Sequence, residues 1–187
     1  MIEEIEMGYP KDLMARILYQ DEDIKRAAQK LANLINKDYA DKSLTLVCTL
    51  KGAVPFFSEL IKYITIECEM EFIRASSYIG NSTISNGDVQ ITNVMKFDAE
   101  NKNILIVEDI VDTGSTCKKL VEYFKASKCN TVEVCTLLNK PSRRTSDIFL
   151  KYVGYDVEDA FIIGFGLDYN EKYRNIPYIG VMNTKYL

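Results

Sequence analysis

The sequence predicts an α/β fold in which helices flank a twisted parallel β-sheet. Short aliphatic runs typical of buried strands alternate with amphipathic segments typical of helices, and this alternation predicts β-α-β units. The run at residues 104–107 is aliphatic throughout, as is usual for strands buried on both faces of a parallel sheet. Because no linker, repeat or low-complexity tract interrupts the 187 residues, we expect one domain over residues 1–187.

The predicted elements begin with a helix that starts near Asp21 and carries apolar side chains at helical spacing as far as Ile35. Further helices are predicted at 54–64 and 115–126, and strands at 44–50, 72–78, 103–107, 131–138, 151–153, 161–163 and 178–181. In sheets of this kind ligands bind beyond the carboxyl ends of the strands. The turns that follow the strands are therefore where a site is expected.

Composition and charge exclude several classes of protein. The formal net charge is −4 and no run of Lys or Arg occurs, so we expect a small ligand and no nucleic-acid partner. The chain has no histidine, which excludes Ser-His-Asp triads and imidazole metal sites. Its five cysteines are scattered and form no Cys-x-x-Cys pair, which argues against a disulfide framework or a zinc site.

The location is expected to be cytoplasmic, without a membrane partner. The first six residues are acidic, where a signal peptide would be basic and then apolar. No apolar run approaches the roughly 18 residues that a membrane helix needs.

The segment after the aliphatic strand carries acids and then hydroxyl side chains. Glu108 and Asp109 follow the predicted strand directly, and Asp112 precedes the run 113–116, which opens a helix. A glycine turn at a helix N-terminus exposes N–H groups, and the helix dipole there favours an anion such as a phosphate. The two acids would instead accept hydrogen bonds from the hydroxyls of a ribose. The pattern therefore suits a ribose 5-phosphate.

Two other interpretations of this segment are considered. On composition alone, an ordinary strand end with solvated acids and a capped helix explains it equally well. A nucleotide kinase of the P-loop type is excluded, because the chain contains no Gly-x4-Gly-Lys-Ser/Thr motif.

The string at residues 107–116, Val-Glu-Asp-Ile-Val-Asp-Thr-Gly-Ser-Thr, closely resembles the phosphoribosyl-diphosphate motif of type I phosphoribosyltransferases. From about residue 44 onward the chain resembles bacterial-type hypoxanthine-guanine phosphoribosyltransferases, with matching segments in the same order at 50–52, 76–78, 137–140 and 164–174. The resemblance implies the type I phosphoribosyltransferase fold, with a small hood built from the terminal segments.

The resemblance implies roles on the purine side of a site. Asp112 is expected to take or return the proton at N7 of the base, and its alternative role is a helix N-cap. Lys140 is expected to donate to the 6-oxo group, which an ammonium suits and the amino group of adenine does not. Phe161 is expected to stack on the ring, with main-chain carbonyls near Ile162 and Asp168 accepting the N–H groups of the base. Alone, a lysine after a strand is usually solvated and a phenylalanine in an aliphatic run is usually core.

On the phosphate side, the resemblance implies that the 5′-phosphate is bound by Asp112, Thr113, Gly114, Ser115 and Thr116. The diphosphate is expected at Lys51 and Gly52, in a loop with an unusual peptide bond, and at Arg174, for which a surface ion pair is the alternative. Mg²⁺ is the implied cofactor, with Asp168 as a ligand of one ion and a second ion near the ribose hydroxyls, where Glu108 and Asp109 lie.

A long polar connection follows the strand predicted at 72–78. The resemblance implies a flexible flap over about residues 78–98, with Ser77 and Tyr78 at its base, which closes over the sugar. Closure has a physical reason, because an oxocarbenium-like centre would react with water.

These expectations combine into one predicted reaction, the transfer of a 5-phosphoribosyl group to hypoxanthine or guanine in purine salvage. The partners are then the 6-oxopurine base and phosphoribosyl diphosphate, and relatives associate as homodimers or homotetramers. Two alternatives stay open: a regulator of the same fold that senses phosphoribosyl diphosphate, and the same transfer with xanthine as the main substrate.

Overall fold

The computed structural model describes residues 8–77, 89–93 and 97–187. Along these residues the elements are β1 Met14–Tyr19, α1 Asp21–Asp38, β2 Leu44–Leu50, α2 Val54–Ile61, β3 Cys68–Ser77, β4 Val89–Asn93, β5 Asn103–Val111, α3 Ser115–Ala126, β6 Thr131–Asn139, β7 Tyr152–Asp156, β8 Ile162–Ile163 and β9 Ile179–Met182. Short 3₁₀ turns follow β6 and β9.

Six strands of the described chain form the main sheet, in the order β4-β3-β2-β5-β6-β7. Strands β3, β2, β5, β6 and β7 are parallel, and β4 pairs antiparallel with the outer side of β3. The predicted parallel sheet flanked by helices is therefore confirmed, and it is the arrangement of the type I phosphoribosyltransferase fold. Because β2, β5 and β6 are neighbours, their carboxyl ends meet at one edge of the sheet.

Helices cover both faces of the sheet. Helices α1 and α2 pack on one face, where buried residues such as Leu31 and Phe56 join Leu105 and Val107 of β5. Helix α3 packs on the other face, and its Phe124 joins a cluster with Val47 of β2 and with Ile104 and Ile106 of β5. Successive residues of β5 thus enter opposite cores, which is the pattern of a strand buried on both faces.

A second, smaller sheet carries β1, β9 and β8 in that order, and its neighbouring strands are antiparallel. Strand β1 lies near the start of the chain and β8 and β9 lie near its end, so the predicted hood from the terminal segments is confirmed. Its own core contains Leu13, Ile163, Ile176 and Met182, which are all buried. The turn between β8 and β9 carries the string at 164–174 that the sequence analysis singled out.

The predicted and observed elements differ in several places, and α2 and β7, for example, end at Ile61 and Asp156 where residues 64 and 153 were predicted. Strand β1 was not predicted, and β3 begins at Cys68, ahead of the predicted residue 72. Strand β5 continues to Val111, so its predicted end at residue 107 was wrong. Tyr78 and most of the predicted flap lie outside the described residues, whereas Ser77 is the last residue of β3. In the described ranges no helix is long and apolar enough to cross a membrane.

Candidate active site

A cavity of about 240 Å³ opens beside the carboxyl ends of β2 and β5 and the start of α3. Of the residues predicted to bind the sugar phosphate and the diphosphate, those that line it are Gly52, Glu108, Asp109, Asp112, Thr113, Gly114 and Thr116. Ser115 lies in the same loop but does not line the cavity. Residues that are separated by more than fifty positions along the chain therefore share one cavity.

Glu108 and Asp109 lie within β5, because the β5–β6 ladder continues as far as the pair Val111 and Asn139. Polar residues can continue a strand when the neighbouring strand goes on offering hydrogen-bond partners. Consecutive strand residues point to opposite faces. Glu108 accordingly faces α3, where the Cys117 thiol lies 3.9 Å from its Oε1. Asp109 faces the turn after β2, and both carboxylates still border the cavity.

Burial dominates the electrostatics of these two acids. It raises the pKa of Glu108 well above its usual value, and the charge of Asp109 adds to the effect. Burial also raises the pKa of Asp109 to about 6, although main-chain N–H groups and Arg174 act in the opposite direction. Asp109 keeps some surface open to the cavity and is otherwise enclosed by protein. Both carboxylates would be stabilised by a cation or by hydroxyl donors placed in the cavity.

Replacing Asp109 with Asn should change how stability depends on pH. Because the pKa of Asp109 is higher in the folded than in the unfolded chain, the folded state loses stability as the pH rises from about 4 through about 6. Asn cannot ionise, so Asp109→Asn should gain about 2–3 kcal/mol relative to the unsubstituted protein between about pH 4 and pH 7. Urea unfolding across this range measures the difference.

Glu69→Gln is the control for that measurement. Lys102 lowers the pKa of Glu69, so ionised Glu69 stabilises the folded state. The stability of Glu69→Gln relative to the unsubstituted protein should therefore fall as the pH rises, which is the opposite of the change expected for Asp109→Asn. A constant stability difference between Asp109→Asn and the unsubstituted protein would contradict the assignment of a raised pKa.

Helix α3 begins at Ser115 with its N-terminus at the cavity. Its N-cap is Gly114, which has φ 83° and no side chain to cap the helix, the first turn contains no acid, and the Thr113 hydroxyl accepts from the Ser115 N–H at a long 3.4 Å. The interpretation of Asp112 as the N-cap is therefore wrong. An uncapped N-terminus leaves N–H groups and the positive end of the helix dipole for an anion. Thr113 and Thr116 place hydroxyl groups on the same cavity.

Two arginines that the sequence analysis did not select hold the loop at Asp112. The Arg143 Nε lies 3.1 Å from Asp112 Oδ1, and a second nitrogen of the same guanidinium lies 3.3 Å from Asp159 Oδ1. Arg144 Nε donates to the main-chain oxygen of Asp112 at 3.1 Å. The Nη2 of the same guanidinium donates to the main-chain oxygen of Val111 at 3.3 Å. The sequence signal that could have identified them is the pair of adjacent arginines shortly after the end of β6.

Lys140 and Phe161 do not line the cavity, and Lys140 reaches Ala160, the residue that precedes Phe161. Lys140 is 7% exposed and its Nζ donates to the main-chain oxygen of Ala160 at 2.7 Å, so it is not a solvated surface charge. Phe161 is 41% exposed and meets Tyr169 edge to face, with 5.4 Å between ring centroids, so it is not a core residue. Ile162, next in the chain, is buried at the start of β8.

The remaining predicted residues lie around the turn after β2, where the peptide bond between Leu50 and Lys51 is cis. Arg174 lies 2.8 Å from Asp168 Oδ1 and donates to the main-chain oxygen of Gly166 at 2.7 Å. The ion pair named as the alternative for Arg174 is thus present. Glu171, to which no role was given, accepts from Lys51 Nζ at 2.7 Å and lies 3.4 Å from Arg174.

Gly166 and Gly52 join this group to the cavity by close main-chain packing. A Cβ on Gly166 would lie 1.9 Å from the main-chain oxygen of Gly52, and Gly166 has φ 98°. A Cβ on Gly52 would lie 1.9 Å from Asp109 Oδ2. The backbone clash and the positive φ require glycine at position 166, a side chain at position 52 would displace the Asp109 carboxylate, and the contacts connect Arg174 with Asp109.

Replacing Gly166 with Ala should destabilise the protein by about 1–3 kcal/mol, because it adds a backbone clash to an unfavourable positive φ. Thermal unfolding should then show a loss of about 2–4 °C for each kcal/mol. Gly8→Ala is the matched control, because none of the residues that the structure describes lies within 4 Å of a Cβ at that position. Equal melting temperatures for the two variants would argue against the close packing at Gly166.

The described residues contain no group of three or more acidic, cysteine or histidine side chains that could hold a metal ion. What they offer is the buried pair Glu108 and Asp109 and, separately, Asp168, whose side chain is 30% exposed. Mg²⁺ commonly binds one or two carboxylates and completes its shell with substrate phosphates and water. The carboxylates present fit an ion of that kind and do not form a site made of protein ligands alone.

Comparison with known proteins agrees with this architecture. The family model of the phosphoribosyl transferase domain matches residues 15–170. The hypoxanthine-guanine phosphoribosyltransferase of Streptococcus thermophilus is 48% identical over 170 residues, which cover 91% of this chain and 94% of that protein. The protein of the same name from Bacillus subtilis is 44% identical over 167 residues, 89% of this chain and 92% of that one.

A solved structure agrees as well. The crystal structure of a hypoxanthine phosphoribosyltransferase from Staphylococcus aureus superimposes with a TM-score of 0.89 at 42% identity, covering 97% of this chain and 98% of that one. Fold, site and family model define a phosphoribosyltransferase. More particularly, the chain belongs to the hypoxanthine-guanine phosphoribosyltransferase family. Neither the regulator nor the xanthine-directed transferase is favoured by these relatives.

Proposed function

We propose that the protein transfers the 5-phosphoribosyl group from 5-phospho-α-D-ribose 1-diphosphate to N9 of hypoxanthine or guanine. The products are IMP or GMP and diphosphate, and the reaction serves purine salvage. One observation carries the proposal: the uncapped N-terminus of α3 and the buried carboxylates of Glu108 and Asp109 border the same cavity. That arrangement offers donors to a phosphate and acceptors to the hydroxyls of its ribose.

The 5′-phosphate is assigned to the loop 112–116, with main-chain N–H groups and the hydroxyls of Thr113 and Thr116 as donors. The ribose hydroxyls are assigned to Glu108 and Asp109. Arg144 supports the loop, because its bonds to the main-chain oxygens of Val111 and Asp112 hold the backbone in place. A fixed loop keeps its N–H groups directed at the phosphate without reorganisation during the reaction.

The purine is assigned to the space beside Lys140 and Phe161. One N–H of the Lys140 ammonium donates to the main-chain oxygen of Ala160. Its other two N–H groups can donate to the 6-oxo group of hypoxanthine or guanine. The exposed face of Phe161 stacks on the ring, and Tyr169 holds that side chain edge to face. Main-chain carbonyls near Ile162 and Asp168 accept the N–H groups of the base.

Asp112 is assigned the proton at N7. As N9 attacks the sugar carbon C1′, the bond from C1′ to the diphosphate oxygen breaks and the diphosphate leaves with the electron pair. The base loses the N7 proton to the Asp112 carboxylate, which restores the aromatic purine. Arg143 Nε lies 3.1 Å from Asp112 Oδ1, an oxygen that makes no hydrogen bond with the described residues, and the Asp112 carboxylate borders the cavity.

The diphosphate is assigned to Lys51, Gly52 and Arg174. Gly52 provides a surface without a side chain, and the forked guanidinium of Arg174 matches phosphate oxygens. Mg²⁺ is proposed to bind at Asp168 and beside Glu108 and Asp109, where it would neutralise the leaving diphosphate. The two acids support this, since burial raises the pKa of both carboxyls and a cation beside them would stabilise their charged forms.

Association into a homodimer or homotetramer is also proposed. Large apolar side chains are exposed on the described surface, among them Phe149 at 75% and Met70 at 52%. Light scattering of the purified protein tests it. A cytoplasmic location is proposed as well, and the five free thiols support it because such thiols are usual in reducing compartments.

A steady-state assay with hypoxanthine, guanine, xanthine and adenine tests the proposed reaction. Each base is supplied with phosphoribosyl diphosphate and Mg²⁺, and the nucleotide product is separated and measured. We expect turnover with hypoxanthine and guanine and much less with adenine. Failure with both hypoxanthine and guanine would refute the proposal.

A further inference from the structure

Glu171 lies between the two cations that are assigned to the diphosphate. Its Oε2 accepts from Lys51 Nζ at 2.7 Å, and its Oε1 lies 3.4 Å from a guanidinium nitrogen of Arg174. Each carboxylate oxygen therefore meets a different cation. A carboxylate between two cations has the geometry of a bound anion, here supplied by the chain itself.

The turn that carries Glu171 is built to hold it there. Asn170 and Glu171 have positive φ angles of 51° and 64°. Tyr169 and Lys172 exchange main-chain hydrogen bonds at 3.0 and 3.2 Å, which closes the turn. The Glu171 N–H donates to Asp168 Oδ2 at 2.9 Å. The position of Glu171 is thus set by the backbone as well as by its ion pairs.

The ion pairs of Glu171 are weak enough to exchange. Its side chain is 65% exposed and that of Lys51 is 57% exposed, and exposed pairs contribute little because water competes for both charges. A ligand with several negative charges can therefore displace the carboxylate from both cations.

We propose that Glu171 sets the affinity for the diphosphate group by occupying Lys51 and Arg174 until that group binds. The inference rests on the proposed function, which assigns the diphosphate to these two residues. On binding, the carboxylate must give up both cations and remains close to the incoming phosphates. It therefore weakens the binding of the substrate diphosphate and favours release of the diphosphate product.

Glu171→Gln tests this assignment, because the amide keeps the shape of the side chain and removes its charge. We expect inorganic diphosphate to bind the variant about fivefold more tightly in calorimetry at one fixed Mg²⁺ concentration. The KM for phosphoribosyl diphosphate should fall by a similar factor, while the KM for hypoxanthine should not change. The melting temperature without ligand should stay close to that of the unsubstituted protein.

Glu22→Gln is the matched control. Glu22 lies on α1, is 73% exposed and pairs with Lys25, so the substitution makes the same change in net charge away from the site. Its affinity for diphosphate should equal that of the unsubstituted protein. If Glu22→Gln tightens binding as much as Glu171→Gln does, the effect comes from net charge and the proposal is overturned.

The remaining outcomes separate this inference from the proposed function. If the unsubstituted protein is an active transferase and Glu171→Gln binds diphosphate equally or more weakly, the proposed function stands and the inference fails. Weaker binding would mean that Glu171 organises the two cations for the ligand. If the unsubstituted protein neither turns over 6-oxopurines nor binds diphosphate, the proposed function fails and the inference fails with it.

Discussion

Replacing Asp112 with Asn is expected to lower kcat with hypoxanthine by about 10²–10⁴-fold, the usual contribution of a general base. The amide cannot take the N7 proton. It is nearly the same size, so the loop should keep the main-chain bonds that Arg144 makes to it. The Kd of phosphoribosyl diphosphate should therefore change by no more than a few fold. Single-turnover kinetics and calorimetry measure the two quantities separately.

Asp159→Asn is the control for that result. Asp159 contacts the same guanidinium of Arg143, at 3.3 Å, but does not line the cavity. Its loss should disturb Arg143 as much as the loss of Asp112 does, with a far smaller effect on kcat. Near-normal turnover of Asp112→Asn would refute the general-base assignment. Equal losses in the two variants would show that Arg143, and not the proton acceptor, accounts for the effect.

The sequence predicted the main sheet well because the local sequence pattern of its strands and helices agrees with the structure that they adopt. The aliphatic run at 104–107 is short and bounded by polar residues, which favours a buried strand, and α3 begins and ends where the glycine turn and the polar residues indicate. Strand β1 was missed because its pattern of exposure is irregular and because, in the described part of the chain, it pairs with β9, more than 150 residues later. Pairing at that distance leaves no local signal.

The site was predicted in its residues more than in its geometry. The motif identified Glu108, Asp109 and Asp112, but Glu108 and Asp109 were expected in a loop and lie in β5, whereas Asp112 directly follows the last residue of that strand. The reason is tertiary: β6 extends to Asn139 and pairs with them. No motif identified Arg144 or Glu171. Arg144 acts on the main-chain oxygen of a residue distant in sequence, and Glu171 pairs with two cations that only the fold brings beside it.

The charges at this sheet edge explain why a stable apo protein can hold such a site. Glu108 is buried and Asp109 beside it is partly buried, whereas the cations Lys51 and Arg174 are neutralised by Glu171 and Asp168. Each group is compensated in part, and each compensation is weak enough for a ligand to replace. Stability is given up at the buried acids so that a cation and a ribose can restore it on binding.

Replacing Lys140 with Met is expected to remove most of the preference for 6-oxopurines. The variant keeps the length of the side chain and loses the ammonium that is assigned to the 6-oxo group. A hydrogen bond to a charged group contributes about 1.5–3 kcal/mol, so kcat/KM with hypoxanthine should fall by about 10–100-fold. With adenine, kcat/KM should stay level or rise. The 6-amino group of adenine is a donor, and in the variant it no longer faces a second donor, the Lys140 ammonium. The ratio of the two values is the quantity to measure.

That ratio separates recognition from stability. Removing the ammonium leaves the main-chain oxygen of Ala160 without its donor, which can lower the folded fraction of the variant. A loss of folded protein reduces kcat/KM for both bases equally and cancels in their ratio, whereas a lost contact to the 6-oxo group does not. Lys30→Met, at an exposed position of α1, should keep the ratio of the unsubstituted protein. If Lys140→Met keeps that ratio too, Lys140 supports the fold at Ala160 and another group must recognise the base.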